Sequence, residues 1–371
     1  MTRRMLVGIV LLGLGSQSLP RPLAAQARQL SANLDLRIEG NFTSITSLAV
    51  DPGGRIVALD SREARVYLFS ATGKELARIG RNGGGPGEFT RPSGLGLTSN
   101  GFWVSDPMAF RVTLLSSDLQ LQGVFTMPTS ISRAVGGPAV GRGAPIPVGV
   151  GTGDMLLVRS VPPLSDPRAL SLFSLDKAGA AFVRINRAGQ YQAELGRIGP
   201  APHCAVDGPN KAGATVPLCT EALASVSRDG RRVALLEPGA TPGSFRIVVV
   251  GLRGDTLAST VVRYTPIRIP KGVADSVFES VLSFRRDVTL PQYFPAATGL
   301  VLGRDGSVWV EQIVGADQRR WVILDASGKT VGHLVLPPRV RLLEADLKNV
   351  WGVARDADDL PSIVRFRMAI P

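Results

Sequence analysis

The chain has 371 residues, of which 44% are hydrophobic, 6% aromatic and 19% charged; it carries 42 glycines, 27 prolines and a net charge of +12. So many turn formers beside so few aromatics exclude a helical bundle and fit many short strands joined by tight turns. The basic residues are scattered, with no block of like charge, which argues against a nucleic-acid surface and for a solubilising one.

At the N-terminus, Arg3 and Arg4 precede an apolar run from Leu6 to Leu14, and Ala25-Gln26-Ala27 follows before Arg28. These are the three parts of a secretory signal peptide, so residues 1–27 are expected to be cleaved after Ala27. The apolar run is shorter than the roughly 20 residues that span a bilayer, and no later segment is long enough, so the mature chain is not expected to cross a membrane. Removal of the leader takes three arginines and no acid, which leaves a charge of +9. The expected location is the periplasm or the extracellular space. There the two cysteines, Cys204 and Cys219, read as a disulfide across a loop rich in Gly and Pro.

Next comes a repeated grammar: a short apolar strand, a polar turn with glycine, and a second strand that often ends in an acid. The first copy runs from Leu48 to Asp60 and continues through Arg65–Phe69 and Glu75–Ile79. The second runs from Leu95 to Asp106 and on through Arg111–Leu115. Weaker copies begin near Gly149, Ala224, Gly299 and Leu342. In the third, the later strand is expected at Leu170–Leu175. Turns such as Asn100-Gly101, Asp229-Gly230 and Asp305-Gly306 supply residues that tolerate positive φ. Each four-stranded meander is too small to bury both faces alone, whereas radial stacking covers them. The expected fold is therefore all-β: one domain over 28–371, a six-bladed β-propeller of four-stranded antiparallel blades. Leu34–Ile38 is expected to close the ring as the outer strand of the last blade. Two inserts interrupt the repeats, at about 188–221 and 266–297. The second carries Val273, Val277, Val281 and Leu282 at helical spacing, so it should hold a short helix. Inserts on one face of a repeat fold are where ligand contacts usually collect.

The segment Gly83-Gly84-Gly85-Pro86-Gly87-Glu88-Phe89-Thr90-Arg91-Pro92 resembles the linker between blades of NHL-repeat propellers, and residues 47–126 resemble that family best. The resemblance implies a secreted bacterial six-bladed propeller, in a family that includes binding modules and some enzymes. Amidating lyases of this architecture use several histidines around zinc, whereas only His203 and His333 exist here. Calcium-dependent lactonases of six-bladed form set carboxylates around the channel. The matching positions are Asp60, Asp106, Glu237 and Glu311, interrupted by Arg159 and Arg355, which would oppose a divalent cation. Asp60 and Asp106 each precede an arginine by five residues, so they also suit a structural role, accepting N–H groups of the connecting turn.

Other chemistries fit poorly. Gly83–Gly87 lacks the lysine of a phosphate loop, and Gly-x-Ser-x-Gly is absent. The expected function is thus a ligand- or protein-binding scaffold, with no catalytic residue assigned and binding favoured over catalysis. The alternative is a divalent-metal-dependent hydrolase or lyase at the mouth of the central channel. Candidate ligand-binding residues are Arg285, Arg286 and Tyr293, because arginine presents a fork to carboxylate or phosphate, together with Asp106 and Glu311. No metal site or cofactor is assigned, calcium entering only under the alternative. The expected partner of the monomer is another protein or a small anionic ligand.

Overall fold

Strands of four to ten residues, joined mostly by tight turns, build the molecule; the computed structural model describes residues 28–132, 142–151, 155–161, 179–199, 201, 204, 216–281, 290–315 and 318–369. Four sheets are antiparallel meanders of four strands. The first contains β2 (Ile45–Val50), β3 (Ile56–Asp60), β4 (Arg65–Phe69) and β5 (Glu75–Ile79). The second contains β6 (Gly94–Thr98), β7 (Gly101–Asp106), β8 (Arg111–Ser116) and β9 (Leu121–Thr126). The third is β10 (Arg142–Val150), β11 (Met155–Val161), β12 (Ala180–Asn186) and β13 (Tyr191–Ile198). The fourth is β14 (Leu223–Val226), β15 (Arg232–Pro238), β16 (Ser244–Gly251) and β17 (Thr256–Arg263). The remaining strands are β1 (Gln29–Ile38), β18 (Gly299–Leu302), β19 (Val308–Ile313), β20 (Arg319–Leu324), β21 (Thr330–Leu334), β22 (Val340–Ala345), β23 (Asn349–Arg355) and β24 (Pro361–Ala369). They form one eight-stranded sheet in the order β18-β19-β20-β21-β1-β24-β23-β22.

This corrects the expectation of six four-stranded blades in a ring closed by an N-terminal strand. Four blades are separate, and the other eight strands are continuous because β1 hydrogen-bonds along both sides. Residues Ser31–Ile38 pair antiparallel with β24, including Leu34 opposite Phe366 and Ile38 opposite Ile363, while Gln29 and Leu30 run parallel to His333 and Leu334 of β21. The His333 N–H donates to the Arg28 carbonyl at 2.9 Å. Gly332 makes room for this approach, since a Cβ there would lie 2.4 Å from the Arg28 oxygen.

The apolar runs are continuous because both faces of most inner strands are buried between neighbouring sheets. Ile56 and Ala58 of β3 pack with Trp351 and Ile363, whereas Val57 and Leu59, pointing the other way, pack with Phe102 and Leu115. Trp309, Ile323 and Leu334 meet Leu342, Val350 and Phe366 inside the long sheet. Each such valine, leucine, isoleucine or phenylalanine, fully buried, contributes roughly 1.5–3 kcal/mol. The first strands of the sheets face the axis: β2 contacts β6 and β22, β6 contacts β10, and β18 contacts both β14 and β22.

Three further placements differ from the sequence reading or narrow it. The third sheet's third strand is Ala180–Asn186, so it does not lie at Leu170–Leu175, which fall outside the described residues. Tyr191–Ile198 belong to the same sheet as β13, so the first insert begins after Ile198. That insert contains the Cys204–Cys219 disulfide, with Cα atoms 5.6 Å apart. The second insert contains helix α1 (Lys271–Val281), as its valine spacing predicts. No helix among the described residues is long and apolar enough to cross a membrane.

Candidate functional site

The turns that follow the first strands of the sheets gather on one face and surround a cavity of about 840 Å³ at the mouth of the central channel. Its walls combine apolar side chains, such as Leu97, Phe102, Met155 and Leu252, with the polar groups of Thr98, Asn100, Ser117 and Ser227. Four guanidinium groups (Arg55, Arg228, Arg231 and Arg304) and three carboxylates (Asp51, Asp229 and Glu344) are set into them. Apolar surface with convergent polar groups is the usual composition of a small-molecule site, and the volume is in the usual range.

Each arginine is held differently. Arg55 donates from Nε to Asp51 Oδ2 at 2.7 Å and reaches Asp118 at 3.2 Å; the hydrogen bond to Asp51 raises its pKa further. Arg304 stands 3.8 Å from Asp346 and over the Trp351 ring. Arg231 is exposed, and its guanidinium makes no hydrogen bond or ion pair among the described residues. Its backbone N–H instead donates to Asp229 Oδ1, which also accepts from Ser227 Oγ and so fixes the turn.

Arg228 is the deepest of the four. It springs from the β14–β15 turn and reaches across the channel. Nη1 donates to Ser47 Oγ of β2 at 3.2 Å, Nη2 donates to the Leu343 carbonyl of β22 at 2.9 Å, and its own carbonyl accepts from Leu97 N–H of β6 at 2.7 Å. One residue therefore ties four sheets together. Burial lowers its pKa, although 28% of its side-chain surface remains open toward the cavity.

Glu344 faces it. A register shift between Leu342 and Glu344 leaves Leu342 and Leu343 in two different apolar clusters and Glu344 in the cavity lining. The carboxyl is 2% exposed; Oε1 accepts from the Ala345 N–H at 3.0 Å, and Oε2 stands 3.7 Å from Arg228 Nε, beyond hydrogen-bond reach. Burial outweighs the pull of Arg228 and pushes this carboxyl up to about 7. A titratable group so displaced in a cleft is a candidate for proton transfer. The sequence reading missed this pair. The signal was an acid inside the apolar run Leu342-Leu343-Glu344-Ala345, opposite nothing that local spacing could identify.

Of the acids singled out from the sequence, Asp60 and Asp106 end their second strands while Glu237 and Glu311 lie just before the ends of β15 and β19, and antiparallel pairing puts those ends on the face opposite the cavity. Asp60 is fully buried and accepts from the N–H groups of Thr43, Ser44, Arg62 and Glu63 at 2.7–3.1 Å. Asp106 accepts from Thr90 and Arg91 N–H at 2.6 and 3.1 Å and lies 3.6 Å from Arg111, which also donates to the Gly84 and Glu88 carbonyls of the glycine-rich linker. Glu311 accepts from Thr298 Oγ1 at 2.8 Å and pairs with Arg319. Glu237 is exposed and stands opposite Arg246 in the ladder. Tyr293 bridges to Arg268, whose guanidinium lies over its ring. Arg285, Arg286 and His203 lie outside the described residues. Among the described residues no group of three His, Cys, Asp or Glu side chains converges to hold a metal ion. Among the described residues, none from either expected insert lines the cavity.

Comparison with known proteins supports a propeller-like fold. A family model described as a 6-bladed beta-propeller, DUF5128, matches residues 40–103. The match covers the first copy and the start of the second and corrects the resemblance to NHL repeats, while the sheets of this chain correct the blade count. No curated protein matches the chain. A member of the DUF4221 family from Bacteroides vulgatus is similar over 92% of this chain and 99% of its own, at 8% identity and a TM-score of 0.52. The PQQ-bound aldose sugar dehydrogenase of Streptomyces coelicolor shows 14% identity over 92% of this chain and 98% of its own, with a TM-score of 0.42. The virginiamycin B lyase of Staphylococcus aureus shows 13% identity over 92% and 90%, with a TM-score of 0.38. These likenesses speak to fold alone. The expectation that favoured binding over catalysis is withdrawn, because a fold of this kind does not decide between the two and the cavity holds a displaced carboxyl suited to proton transfer.

Proposed function

We propose that the protein takes a small organic anion into the channel-mouth cavity and acts on it as a hydrolase or lyase. The observation that carries this reading is the convergence of Arg55, Arg228, Arg231 and Arg304 on one cavity of about 840 Å³. Guanidinium forks suit carboxylates and phosphates, and the apolar side chains of the walls suit a carbon skeleton. The arginines make this an anion site, so the chemistry proposed is acid–base chemistry, with Glu344 as the group that moves a proton. The leader at 1–27 and the disulfide support a mature protein working in the periplasm or outside the cell.

The test is a thermal-shift and calorimetric panel of aliphatic and aromatic carboxylates and sugar phosphates, applied to the mature chain and to Arg231→Gln. The Arg231 guanidinium makes no hydrogen bond or ion pair among the described residues, so the variant should melt like the parent. Anions should stabilise the parent and bind the variant at least about tenfold more weakly, as for a lost charge-assisted hydrogen bond. Absence of any anion effect, or equal affinity for both proteins, would overturn the reading.

A further inference from the structure

We infer that an organic anion enters the cavity together with one proton, which Glu344 accepts, because the anion and the Glu344 carboxylate compete for the same guanidinium, that of Arg228. This rests on the anion-site reading and adds proton coupling to it.

The geometry sets up the competition. Glu344 is 2% exposed, and among the described residues its Oε2 accepts no hydrogen bond and pairs only with Arg228 Nε, 3.7 Å away. Two of the Arg228 nitrogens are already committed to Ser47 Oγ and the Leu343 carbonyl, so the guanidinium is held in place and cannot swing to serve both carboxylate and ligand. The charged groups around Glu344 are few. The β14–β15 turn brings Arg228, the β18–β19 turn brings Arg304, and the turn after β22 brings Asp346, which stands 3.8 Å from Arg304 and offsets it. The neighbouring strand β2 offers only the neutral Ser47 hydroxyl. Burial already holds the Glu344 carboxyl at about 7, so near neutral pH it exists in both forms. A second negative charge in the same cavity disfavours the carboxylate and draws on Arg228, the cation paired with it. The carboxylate then takes a proton from solvent to become the neutral acid. The cavity gains an anion and a proton together, and the proton is stored where a hydrolase or lyase needs one.

Isothermal titration of the mature chain tests this, with benzoate, succinate and glucose 6-phosphate as probes. Tris, imidazole and triethanolamine serve as buffers, none of them an anion. The dependence of the observed heat on buffer ionisation enthalpy counts protons. For the probe that binds, uptake should be about half a proton at pH 7 and close to one at pH 8.5, and affinity should fall about tenfold per pH unit above 7. In Glu344→Gln both the uptake and the pH slope should vanish. Uptake of zero in the parent protein, or uptake unchanged in the variant, would overturn the inference alone. Failure of every probe to bind would overturn the anion site with it. Should Glu344→Gln fail to fold, infrared difference spectra of the parent decide the matter. Probe binding should raise the protonated-carboxyl band, and a flat difference spectrum would refute the coupling.

Discussion

The Cα of Gly230, in the β14–β15 turn, stands 2.8 Å from the place a Cβ on Gly149 of β10 would occupy. This contact lets the turn lean into the channel and aim Arg228 across it. Gly230 also has φ of +67°, where an L side chain is strained. Gly230→Ala should cost about 2–4 kcal/mol from strain and overpacking together. The comparison is Gly254→Ala in the β16–β17 turn, where φ is +83° but no atom lies within 4 Å of the added carbon. That change should cost only about 1–2 kcal/mol. Urea unfolding of the two variants measures the difference, and equal losses would mean the turn is not held by this contact.

Asp60 ends β3 as an acceptor for four backbone N–H groups and is fully buried. Removing the carboxylate leaves those donors without an acceptor inside the protein, so Asp60→Ala should destabilise by about 3–5 kcal/mol. The exposed Glu237 lies just before the end of the corresponding strand β15, and Glu237→Ala should cost under about 0.5 kcal/mol. Chemical denaturation of both variants checks the contrast.

Strand-end acids show how far the sequence is legible. A strand-end acid followed five residues later by arginine identifies Asp106 with Arg111, because the pair meets across a short connection that spacing controls. Strand alternation likewise locates the core: Val57 and Leu59 face one neighbour, Ile56 and Ala58 the other. The channel-mouth site is different in kind. Arg228 and Glu344 come from turns and strands more than a hundred residues apart, and only ring geometry brings them together. The eight-stranded sheet was hidden for a related reason. Alternation in Leu34–Ile38 marks a strand but does not say that its upstream end, Gln29–Leu30, reaches a second partner.

Glu344 makes stability depend on pH in a defined direction. Its folded-state value is raised to about 7 from an ordinary 4.5. Between those values the folded protein holds a proton that the unfolded chain has lost, so this contribution is fully present below about 4.5 and is lost as pH rises through 7. At about 1.4 kcal/mol per unit, the loss is about 3 kcal/mol by pH 8. Glu344→Gln lacks the titration. Relative to the parent, the variant should therefore gain stability steadily from pH 5 to pH 7.5, as read by urea midpoints at matched ionic strength. A constant offset across that range would show that the carboxyl is not displaced.

The disulfide closes a segment of 15 residues in sequence separation. A cross-link of that span stabilises by about 3 kcal/mol, mainly by restricting the unfolded chain. Replacing both cysteines by serine should lower the melting temperature accordingly, while reductant should lower that of the parent to match and leave the variant unchanged.

The dual pairing of β1 predicts an asymmetry along a single strand. Leu30 is 4% exposed and packs with Leu334, Trp309 and Trp321 at the join between β1 and β21. Leu34, four residues on in the part that pairs only with β24, is 47% exposed. A strand that merely completed its neighbour's sheet would be expected to matter most at its centre. Here the upstream end carries the burial, so Leu30→Ala should cost about 2–4 kcal/mol through the cavity it leaves, and Leu34→Ala under about 1 kcal/mol. Hydrogen exchange supplies the structural half of the test. In Leu30→Ala the His333 N–H, which donates to the Arg28 carbonyl, should exchange much faster, while the amides of β24 that pair with Leu34–Ile38 keep their protection. Loss of protection in both regions at once would mean that the eight strands open as one unit and that the join at Leu30 has no separate energy of its own.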